Sequence, residues 1–235
     1  MRHPRLVNRV QASLEGVYRV ECEARAEAFV VDRETAARLG GSGRADEELL
    51  VLEEEEGCLE LALYFAPELL ARLAALEGHP PEAPLANAPL ADAPLSDAFL
   101  TGAALGDYCQ LAEGVSHFLY LTRAASQERT VSLLELEAQA EVDKFVLCLL
   151  ARWGEGVGAW GQELLRRLFD DVRYRPHLTG EERWRYEEAN RLSRTYCRRL
   201  LRHGAARRLD ALLSELRYSY RLGAEAKLRH LALPD

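Results

Sequence analysis

Residues 132–151, SLLELEAQAEVDKFVLCLLA, constrain this chain most. Ser132 followed three residues later by Glu135 is the signature of a helix start, and Val131 and Leu136 occupy the flanking staple positions. Wound at about 100° per residue, Glu137, Glu141, Lys144 and Cys148 share one narrow arc, while Glu135, Gln139 and Asp143 share another. Apolar residues fill much of the remaining circumference. A helix apolar nearly all round sits at the centre of its domain. Its polar residues must then pair with one another or line a cavity, because unpaired buried charge is costly. Glu141 and Lys144, three apart, are placed to satisfy each other.

That helix belongs to a longer helical stretch. A preceding helix runs from Ala98 or Gly106 to Ala124. A Gly/Trp-rich loop, residues 153–161, follows the central helix, with Trp153 and Trp160 as packing anchors. Next come Gln162–Asp171 and a long helix opened by a second box, Thr179 and Glu182, ending near His203-Gly204. One or two helices cover 205–231. The expected architecture of residues 99–235 is an all-helical bundle.

The first 78 residues read differently. From Tyr18 to Ala28 the chain alternates, with Tyr18, Val20, Cys22, Ala24, Ala26 and Ala28 on one side and charged residues on the other. Period two predicts a half-buried strand. Asp32 caps a helix over Arg33–Leu39, stopped by Gly40-Gly41. LLVL (49–52) and CLELALYF (58–65) form a hairpin with an acidic tip at Glu53–Glu56. Pro67 suits the first turn of a final helix. The reading is an α+β fold: a small β-α-β-β-α unit over 1–78, a linker over 79–98 and a helical domain over 99–235.

Charge supports the division. Of 30 basic and 38 acidic side chains, residues 1–78 carry 9 and 16, residues 79–98 none and 3, and residues 99–235 the remaining 21 and 19. The linker is rich in Pro, Ala and Leu. Leucines at 85, 90, 95, 100 and 105 each follow an alanine by two residues, a five-residue period that resembles pentapeptide-repeat proteins, whose fold is a right-handed β-helix. The resemblance covers about 25 residues, barely one turn of such a coil, where about three stacked units are needed to bury a core. Prolines 84, 89 and 94 favour a semi-rigid extended linker instead.

No apolar run approaches the roughly 20 residues of a membrane-spanning helix. The start of the chain lacks the apolar core of a secretory signal. Five scattered cysteines (22, 58, 109, 148, 197) contain no CxxC pair and read as reduced, packed thiols. The expected setting is the cytoplasm.

Three features bear on function. Glu113 and His117, four apart on the preceding helix, share a face. With Glu137 and Glu141 from the central helix they make a possible divalent-metal or acid–base site between antiparallel helices. The bland counterpart is a buried ion-pair and hydrogen-bond network that orders the bundle. From Asn190 to Leu209 there are seven arginines and no acid. Arg191, Arg194, Arg198 and Arg202 form a stripe opposite Leu192, Tyr196 and Leu200. The stripe suits an acidic protein partner, self-association with the acidic first module, or phosphates of RNA or DNA. A net charge of −8 argues against a dedicated nucleic-acid binder. Trp184, Tyr186, Tyr218 and Tyr220 flank the stripe at spacings better suited to core packing than to base stacking. Gly156, Gly158 and Gly161 spell GxGxxG, but a helix rather than a strand precedes them, which excludes the dinucleotide fingerprint. The leading expectation is a non-enzymatic interaction or regulatory protein. The alternatives are a metal-dependent helical-bundle enzyme and a nucleic-acid binder.

Overall fold

The computed structural model describes residues 4–53, 59–76, 97–153, 157–174, 176 and 178–234. It is mostly helical, with a small three-stranded sheet. By their contacts the described residues divide into two units. One runs from the start of the chain through Thr130, apart from Gly16–Val20; the other contains Gly16–Val20 and the chain from Val131 onward.

The first unit opens with α1 (Pro4–Tyr18), whose last turn belongs to the second unit. The strand expected over Tyr18–Ala28 is not formed. Leu6, Val10, Leu14 and Val17, spaced by three or four, bury one face of a helix that runs through Tyr18. Arg19, at φ 50°, then turns the chain out of the helix. Gln11, fully buried, occupies the backbone groups a strand partner would need. Its Nε2 donates to the Ala24 carbonyl at 2.9 Å and its Oε1 accepts from the Ala26 N–H at 2.8 Å. Side-chain burial alternates as read as far as Ala26, with Val20, Cys22 and Ala26 buried and Arg19, Glu21, Glu23 and Arg25 exposed, and then fails, with Glu27 half-buried and Ala28 exposed. Period two therefore reported facing correctly up to Ala26 and strand pairing wrongly. A 3-10 turn, Ala26–Phe29, ends this segment.

Strand β1 (Val30–Val31) follows, then α2 (Arg33–Arg38), capped by Asp32, whose side chain accepts from the Thr35 N–H at 2.8 Å. Strands β2 (Glu47–Glu53) and β3 (Leu59–Phe65) pair antiparallel from Glu47↔Phe65 to Glu53↔Leu59, and β1 pairs parallel with β3. The sheet order is β1-β3-β2. As the central strand, β3 buries every residue from Leu61 to Phe65. The hairpin tip beyond Glu53 lies outside the described residues. Helix α3 (Pro67–Leu76) starts at its proline and buries Leu69, Leu70 and Leu73.

The linker reading falls outside the described residues up to position 96. Asp97–Leu100 is a 3-10 turn, and α4 covers Gly102–Ala125. Leu100 and Leu105, the last two of the five-spaced leucines, are thus buried helical residues and not part of a β-coil. Composition groups α4 with the later helices, whereas its contacts are with the sheet. Gly114 lies against Phe65 and Glu47, where a Cβ would come within 2.8 Å of both side chains. Phe118 packs on Phe29 with ring centroids 4.8 Å apart. Asp107 accepts a two-pronged pair from Arg72 of α3, both contacts at 2.7 Å.

The second unit is built on α5 (Leu133–Ala151) and α7 (Gly180–Ala205). The Ser193 hydroxyl of α7 donates to the Ala138 carbonyl of α5 at 2.9 Å. Half of the expected Gly/Trp loop is helix: α6 (Val157–Leu165) includes Gly158 and Gly161. Gly161 has a packing role, since a Cβ there would overlap the Leu201 side chain of α7. The Trp160 indole N–H donates to the Cys148 carbonyl at 2.9 Å, anchoring α6 on α5 as the sequence suggested for this tryptophan. A π-helical turn, Arg166–Asp170, leads out of α6. Thr179 and Glu182 form a complete capping box on α7. At α5 the Ser132 side chain accepts from the Glu135 N–H at 3.2 Å. Helices α8 (Leu209–Arg221) and α9 (Ala224–Ala232) complete the unit.

Candidate functional site

The polar residues of α5 are hidden and have company. Gln139 is the hub of a buried network within the second unit. Its Nε2 donates to Asp143 Oδ1 at 2.8 Å and to the Tyr18 hydroxyl oxygen at 3.1 Å. Its Oε1 accepts from Lys227 Nζ of α9 at 2.6 Å. The Tyr18 hydroxyl in turn donates to Asp143 Oδ1. The Tyr18 and Tyr220 rings stack with centroids 4.0 Å apart, and Lys227 Nζ lies 5.2 Å from the Tyr220 centroid. Lys227 is 0% exposed and Asp143 2%. Burial first, then the Asp143 charge, holds the Tyr18 hydroxyl well above the ordinary tyrosine pKa, so it stays a donor. The network ties the last turn of α1 and helix α9 to the middle of α5. Buried bonds from a cation and to a carboxylate are the strong kind.

Residues expected to supply metal ligands stand on two helices. Glu113, half-buried, and His117, buried, are four apart on α4 of the first unit. Glu137 and Glu141, both half-buried, are four apart on α5 of the second. Glu137 faces Arg185 of α7 at 3.7 Å, and Glu141 accepts from Lys144 at 2.8 Å. Each α5 carboxylate therefore has a basic partner in its own unit, the pairing of Glu141 with Lys144 being the one their spacing implied.

The arginine stripe lies on the exposed side of α7, with Arg191, Arg198 and Arg202 exposed and Arg194 half-buried. Its two ends differ. Arg191 grips Glu188 with two contacts of 2.7 Å, and Arg194 grips Asp170 of the π-helical turn at 2.6 Å. Hydrogen bonding to Arg191 lowers the Glu188 pKa and raises that of Arg191, and Asp170 does the same for Arg194. Arg199, outside the stripe, is buried. It donates to the Leu233 carbonyl at 2.7 Å and the His230 carbonyl at 3.0 Å, and lies 3.5 Å from Glu215.

The far end of α7 is more basic at the surface than the stripe alone implied. The helix closes through Arg207 in the left-handed region at φ 51°, with the Arg207 N–H bonded to the Gly204 carbonyl and the Arg208 N–H to the His203 carbonyl. Arg202, Arg207 and Arg208 are all exposed there. Beside them His203 is buried, and its pKa is lowered by desolvation and by Arg202 and Arg208.

Sequence reasoning missed Tyr18 and Lys227 as members of the network. Tyr18 was assigned to a strand. Lys227 sits one turn before the buried Leu231, on the inward face of a short amphipathic helix, and that spacing was the available signal. Of the flanking aromatics, Tyr220 is core, whereas Trp184 and Tyr218 are exposed. Cysteines 22, 109, 148 and 197 are free and buried. Burial, then Glu141 and Asp143, pushes the Cys197 thiol well above its ordinary pKa, which makes it a packing group and not a nucleophile. Among the described residues no helix is long and apolar enough to cross a membrane. Searches against protein-family models, curated proteins and solved structures found no match.

Proposed function

We propose that this chain is a non-catalytic interaction protein whose second unit captures an acidic segment of a partner protein at the C-terminal end of α7. The reading is carried by how the arginines are used. Arg191 and Arg194 pair with acids inside the unit. Arg202, Arg207 and Arg208 are exposed together over one helix end and the turn that follows. Planar guanidinium groups grip carboxylates with two parallel bonds. The chain as a whole carries −8. A long polyanion such as duplex DNA is repelled by that net charge over its length, while a short acidic segment meets only the local patch. Screening over about 8 Å at physiological salt separates the two.

The test uses the full-length protein, a labelled deca-glutamate peptide and an RNA decamer, titrated across a salt series. The expected result is binding of the peptide that weakens with salt, and a loss of tenfold or more in a triple variant Arg202→Glu, Arg207→Glu, Arg208→Glu. Tighter binding of the RNA with a steep salt slope favours the nucleic-acid reading instead. Peptide binding that the triple variant leaves unchanged removes the proposal.

A further inference from the structure

Three arginines gather where α1 ends. The last carbonyls of a helix have no partner within it. Arg217 of α8 takes two of them: its Nε donates to the Val17 carbonyl at 2.9 Å and one of its Nη atoms to that of Gly16 at 3.5 Å. Arg221, one turn on, donates to the Tyr18 carbonyl at 3.3 Å and to the Arg217 carbonyl of its own helix at 3.0 Å. Arg19 is the third. Gly16–Val20 and α8 belong to the same unit.

Capping accounts for Arg217 and Arg221 but not for Arg19. It holds the left-handed position that closes the helix, φ 50°, where glycine is the usual residue and a side chain costs backbone strain. Its guanidinium is exposed and bonds to nothing among the described residues. Burial first, then the charges of Arg19 and Arg221, lowers the Arg217 pKa, and Asp210, the acid that opposes them, acts more weakly than either arginine. Elsewhere in the unit Arg166, Arg191 and Arg194 each pair with an acid. Among the described residues none of these three does. Backbone strain and uncompensated charge at one place are marks of a functional site.

Charge and geometry say which ligand fits. Arg217 and Arg221 are each fixed by two carbonyls, so their planar groups are oriented in advance, and two of the five N–H donors are used in each. A carboxylate brings two oxygens and one charge. A phosphate monoester brings three acceptor oxygens and nearly two charges, a closer match to three guanidinium groups. We propose that Arg19, Arg217 and Arg221 bind a phosphate dianion, free or as a small monoester, at the C-terminal end of α1. The α7 arginines take no part, so this idea and the reading above fail independently.

The experiment follows the arginine Nε–H signals of the full-length protein by NMR while inorganic phosphate, glycerol phosphate, acetate or an RNA decamer is added at constant ionic strength. Saturable shifts at Arg19, Arg217 and Arg221 are expected with a phosphate, and acetate should bind tenfold or more weakly. Tighter binding of glycerol phosphate assigns the site to an ester, and tighter binding of inorganic phosphate to the free ion. Arg19→Gly keeps the carbonyl caps made by Arg217 and Arg221 and relieves the left-handed backbone. It should keep or raise the Tm while weakening phosphate tenfold or more, a combination that a capping role does not produce. The proposal is overturned if neither phosphate shifts the three signals, if acetate binds as tightly, or if the RNA binds here more tightly than both small phosphates. It is also overturned if Arg19→Gly leaves the affinity unchanged, or if Tm and affinity fall together, which makes Arg19 a structural residue.

Discussion

Replacing Tyr18 by phenylalanine deletes one oxygen from the centre of the buried network. The ring, and so its stack on Tyr220, is kept. Two interactions go: the hydroxyl's donation to the Asp143 carboxylate and its acceptance from Gln139. A hydrogen bond to a charged group contributes about 1.5–3 kcal/mol, and a neutral one about 1. Asp143 retains its bond from Gln139 at 2.8 Å, so the carboxylate is not stranded and the lower part of the range applies. The expected loss is about 2 kcal/mol. With an m-value of about 2 kcal/mol/M, this moves the urea midpoint of the second unit by about 1 M. The pH dependence supplies an internal check. The folded-state pKa of Tyr18 is raised above 10.0, so above pH 10 the unfolded chain releases the proton while the folded chain keeps it. Stability from this group is complete below pH 10 and falls as pH rises beyond it. The gap between wild type and Tyr18→Phe should thus be full at pH 7–9 and narrow above pH 10. Urea denaturation followed by circular dichroism at pH 8 and pH 10.5 measures both. A midpoint within about 0.2 M of wild type at pH 8, about a fifth of the shift just estimated, refutes the idea that this network holds the unit together.

Gly114→Ala should destabilise the first unit by about 1–3 kcal/mol despite alanine's better helix propensity, because the new Cβ is driven against Phe65 and Glu47; thermal melts will show it, and an unchanged or raised Tm contradicts the close approach of α4 to the sheet. Glu163, held down to about 2 chiefly by hydrogen bonds from Arg166 and Arg167, should titrate far below an ordinary glutamate by NMR. Because it is only half-buried and its partners lie at the surface, about 1 M salt should return it towards 4.5. What it adds to stability is present above pH 4.5 and disappears as pH falls towards 2.

How much of this was legible depended on whether the signal was local. Asp32 before α2, Pro67 at the start of α3, and Thr179 with Glu182 before α7 fix helix starts through contacts spanning three residues or fewer, and all are found. The run LLVL and its partner strand were legible because β-branched and leucine-rich segments of that length bury well in a sheet. Tyr18–Ala28 failed for a non-local reason. The alternation is real, but Gln11, 13 residues away from Ala24, claims the backbone groups first. Likewise nothing near Lys227 announces that Gln139, 88 residues earlier, will accept its hydrogen bond. The assignment of α4 to the later helices failed because charge balance and composition do not encode which neighbour a helix packs on. Gly114, the small residue that admits the sheet, was the better guide.

The same contrast between internal and external partners decides what the charges are for. In α5 the largely apolar circumference buries Asp143 and Gln139, so these polar groups must find fixed partners. Gln139 can bridge a cation and an anion because its amide offers an acceptor at one end and donors at the other. On α7 the apolar face is narrower, and arginine can stay wet at no desolvation cost. Where an acid lies within reach, as Glu188 does one turn before Arg191, the guanidinium is held in place. At the helix end, cations also offset the exposed carbonyl dipoles. Arg202, Arg207 and Arg208 could be there for that reason alone, but a macrodipole contribution of about 0.3–1 kcal/mol per cation fades within one turn. Arg208 lies beyond the last turn of α7 and stands at the N-cap of α8, where a cation opposes the dipole, so its charge adds nothing to helix stability. Neutralising Arg208 alone should therefore leave the melting temperature almost unchanged while weakening capture of the glutamate peptide. If the two fall together, the cluster serves the helix and not a partner.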